Sequence, residues 1–222
     1  MQLSAVTLAR YIGFVEMSDL NPRGKVFFPE VLEALVKRCH FQKFPKEYIE
    51  LDERKGVDFL EGKWGNVTVD KLTLYQDGIL VDTCSSTADS ERILHEALLW
   101  AASEFGVTYR PEMIKRKAYV SDLTFYSEAR FLTILNPALS ALADRVGRAL
   151  SEILNDDFKY EPSGFTAHYD QSLKQIPIAP FTVQRRLQTP FSENKYFSEA
   201  PLPTDLHWKL LEEFESTLLS QK

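Results

Sequence analysis

A short turn between two β-prone runs constrains the fold of this chain more than any other feature. The apolar run at residues 67–74 leads into Gln76-Asp77-Gly78, and a second run follows at 79–81. Asp-Gly between two such runs predicts a β-hairpin, because Gly supplies the positive φ that a tight turn needs. A helix follows at once, with Ser86 or Thr87 as its cap and Gly106 as its stop. Antiparallel strands and helices therefore alternate along this part of the chain.

The rest of the chain has the same two patterns. Residues 3–16 are apolar and β-prone and predict a strand, although their imperfect alternation keeps a helix as the alternative. Helical spacing, caps or β-prone residues predict the other elements: a helix at 29–39, a strand at 118–126, a helix from Asn136-Pro137 to about Ile153, and a final helix capped by Thr204. This order predicts an α+β fold, with a mixed or mainly antiparallel sheet and about four helices packed on it.

The domain organisation follows from length and from the absence of a linker. A chain of 222 residues is long enough for one large domain or two small ones. No Gly/Ser-rich run separates its halves, so we expect residues 1–222 to form a single α+β body. A soft boundary near 128–136 would divide an N-terminal α+β half (1–130) from a C-terminal α/β half (131–222) with Pro-rich loops.

Charge and cysteine content bear on the partners and the compartment. Asp and Glu number 32 against 26 Lys and Arg, so the net charge is −6. A negative chain repels phosphate polymers and anionic membranes unless its basic residues gather on one face. The N-terminal residues lack the pattern of a signal peptide, and no apolar run is long enough to span a membrane. With only Cys39 and Cys84 present, we expect free thiols and a cytoplasmic protein, with a single disulfide as the alternative.

The aromatic and Pro-rich C-terminal region suggests a contact surface. Phe191, Tyr196, Phe197 and Trp208 lie within the segment Thr189–Lys222, which begins with little regular pattern. Aromatic side chains dominate protein interfaces because they bury a large area at low entropic cost. We expect a non-catalytic assembly subunit that binds a protein partner or itself, with a homo-oligomer favoured. The alternative is that these aromatic residues fold back onto the protein's own core.

Catalysis has weaker support in the sequence. Asp70, Asp82 and His168 are residue types that a metal-dependent hydrolase or nuclease uses, and Cys84 precedes a helix start, where a thiol pKa is lowered. Their spacing matches no known metal or nucleophile motif, and solvated turn carboxylates, an ordinary strand end and a capped helix start explain them more simply. We expect no cofactor, because the chain lacks a Gly-rich phosphate loop.

Nucleic-acid binding is the third interpretation. Lys115, Arg116 and Lys117 precede one predicted strand, and Arg185 and Arg186 lie on a later one. Together they would form a basic patch if they shared a face. Lys and Arg also protect strand edges against pairing with other chains, and the acidic net charge favours that simpler explanation.

Overall fold

The fold is known from a computed structural model, which describes residues 1–47, 51–170, 172 and 178–220. These residues form eight β-strands and six α-helices. The strands are β1 (Gln2–Phe14), β2 (Val57–Trp64), β3 (Val67–Tyr75), β4 (Gly78–Thr83), β5 (Arg116–Tyr126), β6 (Gly164–Ala167), β7 (Phe181–Arg185) and β8 (Lys195–Ala200). The helices are α1 (Met17–Leu20), α2 (Phe28–Cys39), α3 (Thr87–Phe105), α4 (Phe131–Leu135), α5 (Pro137–Leu154) and α6 (Thr204–Ser220).

The strands form one antiparallel sheet in the order β2-β3-β4-β1-β5-β8-β7-β6. Helices pack on this sheet, so the predicted α+β class is confirmed. The four long helices, α2, α3, α5 and α6, lie where the sequence predicts them. The two additional helices, α1 and α4, are single turns of four and five residues that carry no periodic pattern of their own.

The hairpin around Gly78 forms as predicted, but for a different reason. Tyr75 pairs with Gly78, so the two-residue loop is Gln76-Asp77 and Gly78 is the first residue of β4. The φ angle of Gly78 is not positive. A Cβ atom at position 78 would lie 3.1 Å from the carbonyl oxygen of Gly13 on the neighbouring strand. Close approach of two backbones, rather than turn geometry, therefore accounts for glycine here.

The predicted helix ends are confirmed at two of the long helices. Ser86 caps α3, because its hydroxyl accepts the backbone N–H of Asp89, and Gly106 ends the helix in the left-handed conformation. The Asn136 side chain caps α5 by accepting the N–H of Leu139, with a Pro in the first turn. These local signals work because each satisfies backbone groups that a helix end leaves without partners.

Contacts divide the chain into two units. The first unit contains Val6–Ser121 and Pro201–Asp205, and the second contains Met1–Ala5, Asp122–Ala200 and Leu206–Lys222. Strands β1 and β5 each contribute residues to both units. The expectation of a single body with a soft boundary near 128–136 stays a prediction.

Each unit has its own apolar core. In the first unit, buried residues of α2 and α3 pack against buried residues of β1–β4, with Tyr11 and Phe59 as the largest fully buried side chains. In the second unit, the core is a stack of aromatic rings. Phe131 lies at its centre, with ring centroids 4.2 Å from Tyr196, 5.9 Å from Phe214 and 6.2 Å from Phe125. Such ring pairs add specific geometry to the area that they bury.

Candidate functional site

Cys84 lies directly after β4, and its surroundings disfavour a reactive thiolate. Its Sγ lies 3.1 Å from Oδ2 of Asp70 and 3.4 Å from the carbonyl oxygen of Thr7, and its single S–H can be accepted by either oxygen. Burial raises the pKa of the Cys84 thiol to about 11, and the charges of Asp70 and Asp82 act in the same direction. A nucleophilic cysteine needs an electropositive setting that stabilises the thiolate. Cys84 has the opposite environment, so the lowered pKa predicted for it is wrong.

Asp82 is held in an ion pair. It lies opposite Arg10 in the register of β1 and β4, and the two Arg10 nitrogens donate to its two carboxylate oxygens at 2.8 Å each. On the other side, Asp82 is opposite Lys71 of β3, which itself contacts Asp58 at 2.9 Å. Opposite charges thus alternate across four neighbouring strands. This ladder explains Asp82 by cross-strand pairing, without a ligand.

The structure does not bring the three predicted metal ligands into one unit. Asp70 and Asp82 belong to the first unit, whereas His168 is an exposed residue just after β6 in the second. Within the described part of the chain, no three His, Cys, Asp or Glu side chains are grouped so that they could hold a metal ion. The hydrolase interpretation stays an untested alternative that rests on residue type.

A polar cluster in the first unit was not predicted from the sequence. Glu91 of α3 accepts the Tyr119 hydroxyl at 2.9 Å and the Lys117 ammonium at 3.1 Å. One turn further along α3, Nδ1 of His95 is hydrogen-bonded to the hydroxyl of Tyr109. Burial raises the pKa of Tyr109 to about 12, so this phenol stays neutral at physiological pH. The groups satisfy one another, and the cluster ties β5 and the residues before it to α3.

Three of the five basic candidates make contacts within their own units. Lys117 is paired with Glu91, and Arg116 lies 4.9 Å from the centre of the Phe14 ring. Arg185 is buried, and its guanidinium is bonded to Glu161 and to the Pro162 carbonyl oxygen. The position predicted for Arg185, on a surface that meets phosphates, is therefore wrong.

The other two basic candidates are placed differently. Lys115 is exposed in the first unit. Arg186 belongs to the second unit, where its guanidinium lies 5.8 Å from the centre of the Phe197 ring. Of the five candidates, only Arg185 is buried, with its charge paired to Glu161 within the protein. Non-specific nucleic-acid binding depends on basic groups that can reach phosphates, so Arg185 contributes little to it, and binding by the other four stays a prediction.

The aromatic residues predicted at a contact surface are mostly used inside the second unit. Tyr196 is 0% exposed and stacks on Phe131, so its assignment to a partner surface is wrong. Trp208 is half-buried with its ring against Phe125, and Phe191 is half-buried beneath the Arg185 guanidinium. Phe197 is also half-buried. Residues 221 and 222 of the predicted segment lie outside the described residues.

The largest exposed apolar feature on a single helix is on α5. We call it the α5 stripe: Leu139, Leu142, Val146, Ala149 and Ile153. All five are exposed, with Leu142 at 51% and Ile153 at 76%. Soluble proteins rarely leave a contiguous apolar face uncovered unless that face binds something. The pattern that predicted helix α5 also predicted this stripe, but spacing cannot tell whether a stripe faces the protein's own core or a partner.

A different side of α5 packs against the protein itself. The Ser151 hydroxyl accepts the backbone N–H of Phe158 at 2.9 Å. A Cβ atom on Gly147 would lie 2.7 Å from the Phe158 carbonyl oxygen, so only glycine permits this approach. Gly147 is the one buried residue of α5, and it lies away from the stripe on the helix surface. The chain therefore anchors α5 by its small and polar residues and leaves the apolar residues outward.

Comparison with models of known protein families and with curated proteins finds no match to this sequence. Across the described residues, no helix combines the length and the apolar character that crossing a membrane requires.

Proposed function

We propose that this chain is a non-catalytic assembly subunit that binds another protein through the α5 stripe. The observation that carries this proposal is the orientation of α5. Its small residues Gly147 and Ser151 contact the protein's own backbone, whereas its large apolar residues are exposed. A helix that served only the fold of its own chain would turn its apolar face inward.

The energetics favour an occupied stripe. Burying a Leu, Val or Ile side chain stabilises a complex by roughly 1.5–3 kcal/mol relative to leaving it in water. An exposed row of such residues therefore has a strong tendency to associate, which natural proteins suppress unless it is used. The helix-in-groove and helix-pair modes of recognition use the same kind of apolar stripe.

The C-terminal surface stays a secondary part of the proposal. Phe197 and Trp208 are half-buried and can add apolar area beside a partner. The cytoplasmic location expected from the sequence also stays a prediction.

Co-purification from the source cells tests the proposal with three baits. The first is the unmodified chain, and the second carries Leu142→Gln and Val146→Gln, which keep helix propensity but remove the apolar side chains. The third carries Leu187→Gln as a matched control, since Leu187 is also apolar and is 88% exposed. A differently tagged second copy of the chain is expressed alongside each bait.

We expect one partner protein, either a foreign protein or the second copy, to be recovered in stoichiometric amount with the unmodified chain and with the Leu187→Gln control. The double variant should no longer recover this partner. Equal recovery with all three baits, or recovery of the bait alone, would show that the α5 stripe is not a binding surface.

A further inference from the structure

The spacing of the α5 stripe is that of a coiled-coil seam. Its members follow one another at intervals of three, four, three and four residues: Leu139, Leu142, Val146, Ala149 and Ile153. This is the a/d pattern of a heptad repeat, in which apolar side chains of one helix insert between those of another. A long helix partner therefore fits this face better than a flat surface does.

Two charged residues border the α5 stripe along one edge. Arg145 and Glu152 are seven residues apart, so they lie on the same side of the helix, about two turns from each other. Both occupy the g position of the repeat, next to the seam, and both are exposed. The opposite edge carries only Ala143 and Leu150, which are half-buried.

We infer that the occupant of the α5 stripe is the α5 helix of a second copy of this chain, bound antiparallel. The two-fold axis crosses the contact at the height of the peptide bond between Gly147 and Arg148, although these two residues themselves lie away from the stripe. This inference rests on the proposed function and names its partner. In an antiparallel pair, a positions face d positions and g positions face g positions. Val146 then packs on Ala149 of the second copy, and Leu142 packs on Ile153 of the second copy.

The charges select this register. With the axis between Gly147 and Arg148, Arg145 meets Glu152 of the second copy, and the two-fold axis repeats the pair. Moving the two-fold axis by half a heptad towards the N-terminus of each helix places Arg145 opposite Arg145 of the second copy. Moving the axis by half a heptad towards the C-terminus of each helix places Glu152 opposite Glu152 of the second copy. Each alternative replaces two attractions by a repulsion between like charges.

A parallel pair and a membrane fit less well. In a parallel pair, Arg145 would face Leu150 of the second copy, so its charge would lack a partner, and the helix dipoles would repel rather than attract. A membrane-binding helix needs an excess of Lys and Arg on its polar face. Helix α5 has two Arg, one Asp and one Glu, so its side chains are neutral overall, and the whole chain carries a net charge of −6.

The contact is of modest size. A helix of 18 residues is about 27 Å long at ~1.5 Å per residue, and its antiparallel overlap is shorter. A single helix pair buries less than the roughly 800 Å² per partner of a standard interface. We therefore expect a reversible dimer with a Kd in the micromolar range.

Charge reversal on the purified chain tests the inference, with the Kd of the dimer measured by sedimentation velocity. Arg145→Glu and Glu152→Arg each turn two attractive pairs into two repulsive ones and should each raise the Kd roughly tenfold or more. The double variant, Arg145→Glu with Glu152→Arg, restores both pairs with reversed sign and should return the Kd to near its original value. Arg148→Glu changes the net charge by the same amount as Arg145→Glu, but away from the stripe, and should leave the Kd nearly unchanged.

The outcomes separate this inference from the proposed function. A chain that stays monomeric at high micromolar concentration overturns the second copy as occupant, and the co-purification test then decides whether a foreign protein takes its place. A dimer that the single reversals do not weaken, or that the double variant does not restore, overturns the antiparallel register. Binding of a monomer to phosphatidylglycerol vesicles, lost with Leu142→Gln and Val146→Gln, overturns the inference in favour of a membrane surface.

Discussion

Thr87 and Thr204 satisfy each other at the starts of two helices. The backbone N–H of Thr204 donates to Oγ1 of Thr87 at 2.9 Å, and the backbone N–H of Thr87 donates to Oγ1 of Thr204 at 3.0 Å. Both residues are buried, and each begins its helix, α6 or α3. The N–H groups of a first turn have no partner within their own helix, so this exchange satisfies one such group in each of the two helices.

Removing either hydroxyl should destabilise the fold measurably. Thr87→Val or Thr204→Val keeps the side-chain shape but leaves a buried N–H without an acceptor, at a cost of roughly 1–3 kcal/mol each. Thr87→Ser and Thr204→Ser keep the hydroxyl and should cost less than the Val variants. Urea denaturation followed by circular dichroism measures the differences. Equal losses for Val and Ser at either position would show that the reciprocal hydrogen bonds contribute little.

Asp82 should behave as a structural ion-pair partner rather than as a metal ligand. Asp82→Asn removes the charge that receives both Arg10 hydrogen bonds, and we expect a loss of about 1–2 kcal/mol. The figure is modest because the Arg10 side chain is 32% exposed and water screens the pair. Asp77→Asn, at an exposed turn carboxylate, serves as the control and should change stability little.

A metal titration completes the comparison for Asp82. A ligand that binds the folded state raises Tm as its concentration rises. We expect Mg²⁺ or Mn²⁺ to leave the Tm of the unmodified chain and of Asp82→Asn unchanged. A rise in Tm that Asp82→Asn abolishes would contradict the structural assignment and support the hydrolase alternative.

Cys84 should react slowly with alkylating reagents in spite of its exposure. Its pKa of about 11 leaves about a hundredfold less thiolate at pH 8 than an ordinary thiol with a pKa near 9. Asp70→Asn removes a nearby negative charge and should accelerate the reaction of Cys84 with iodoacetamide. Cys39, buried and with its pKa raised to about 12, should react only on unfolding. Mass spectrometry of the two cysteine peptides over time distinguishes these rates, and fast labelling of Cys84 at pH 7 would disprove the assignment.

The sequence predicted those parts of the fold that depend on near neighbours. Ser86, Gly106 and Asn136 end or begin helices through contacts within a few residues, so a cap is visible as a short pattern. Partners far apart in the chain were not visible. Arg10, which forms the ion pair with Asp82, is 72 residues away in the sequence, and nothing in the spacing of either residue points to the other.

The candidate site illustrates the same limit. The apolar spacing of α5 predicts a helix with one apolar side, and that helix is present. Whether this side is covered depends on the contact of Gly147 with the backbone of Phe158, which is a tertiary relationship. The assignment of Tyr196 to a partner surface was wrong because the side chain is buried. An aromatic residue in a Pro-rich segment is as suited to a core as to an interface.

Glu215 should make the stability of the second unit depend on pH in the acidic range. Burial alone would raise its pKa, but the N-terminal ammonium of Met1 at 2.6 Å, the Ser127 hydroxyl and the Glu128 N–H together hold the pKa below its usual value. A carboxylate whose pKa is lower in the folded state stabilises the fold above its unfolded pKa, near 4.5. That stability is lost as the pH falls through the lower, folded value. We therefore expect the Tm of the unmodified chain to fall more steeply below pH 4.5 than the Tm of Glu215→Gln, which lacks this titration. Glu212→Gln serves as the control, since Glu212 is an exposed neighbour on α6, and its Tm should follow that of the unmodified chain. Parallel Tm curves for the unmodified chain and Glu215→Gln from pH 3 to pH 6 would show that Glu215 does not carry the acid sensitivity.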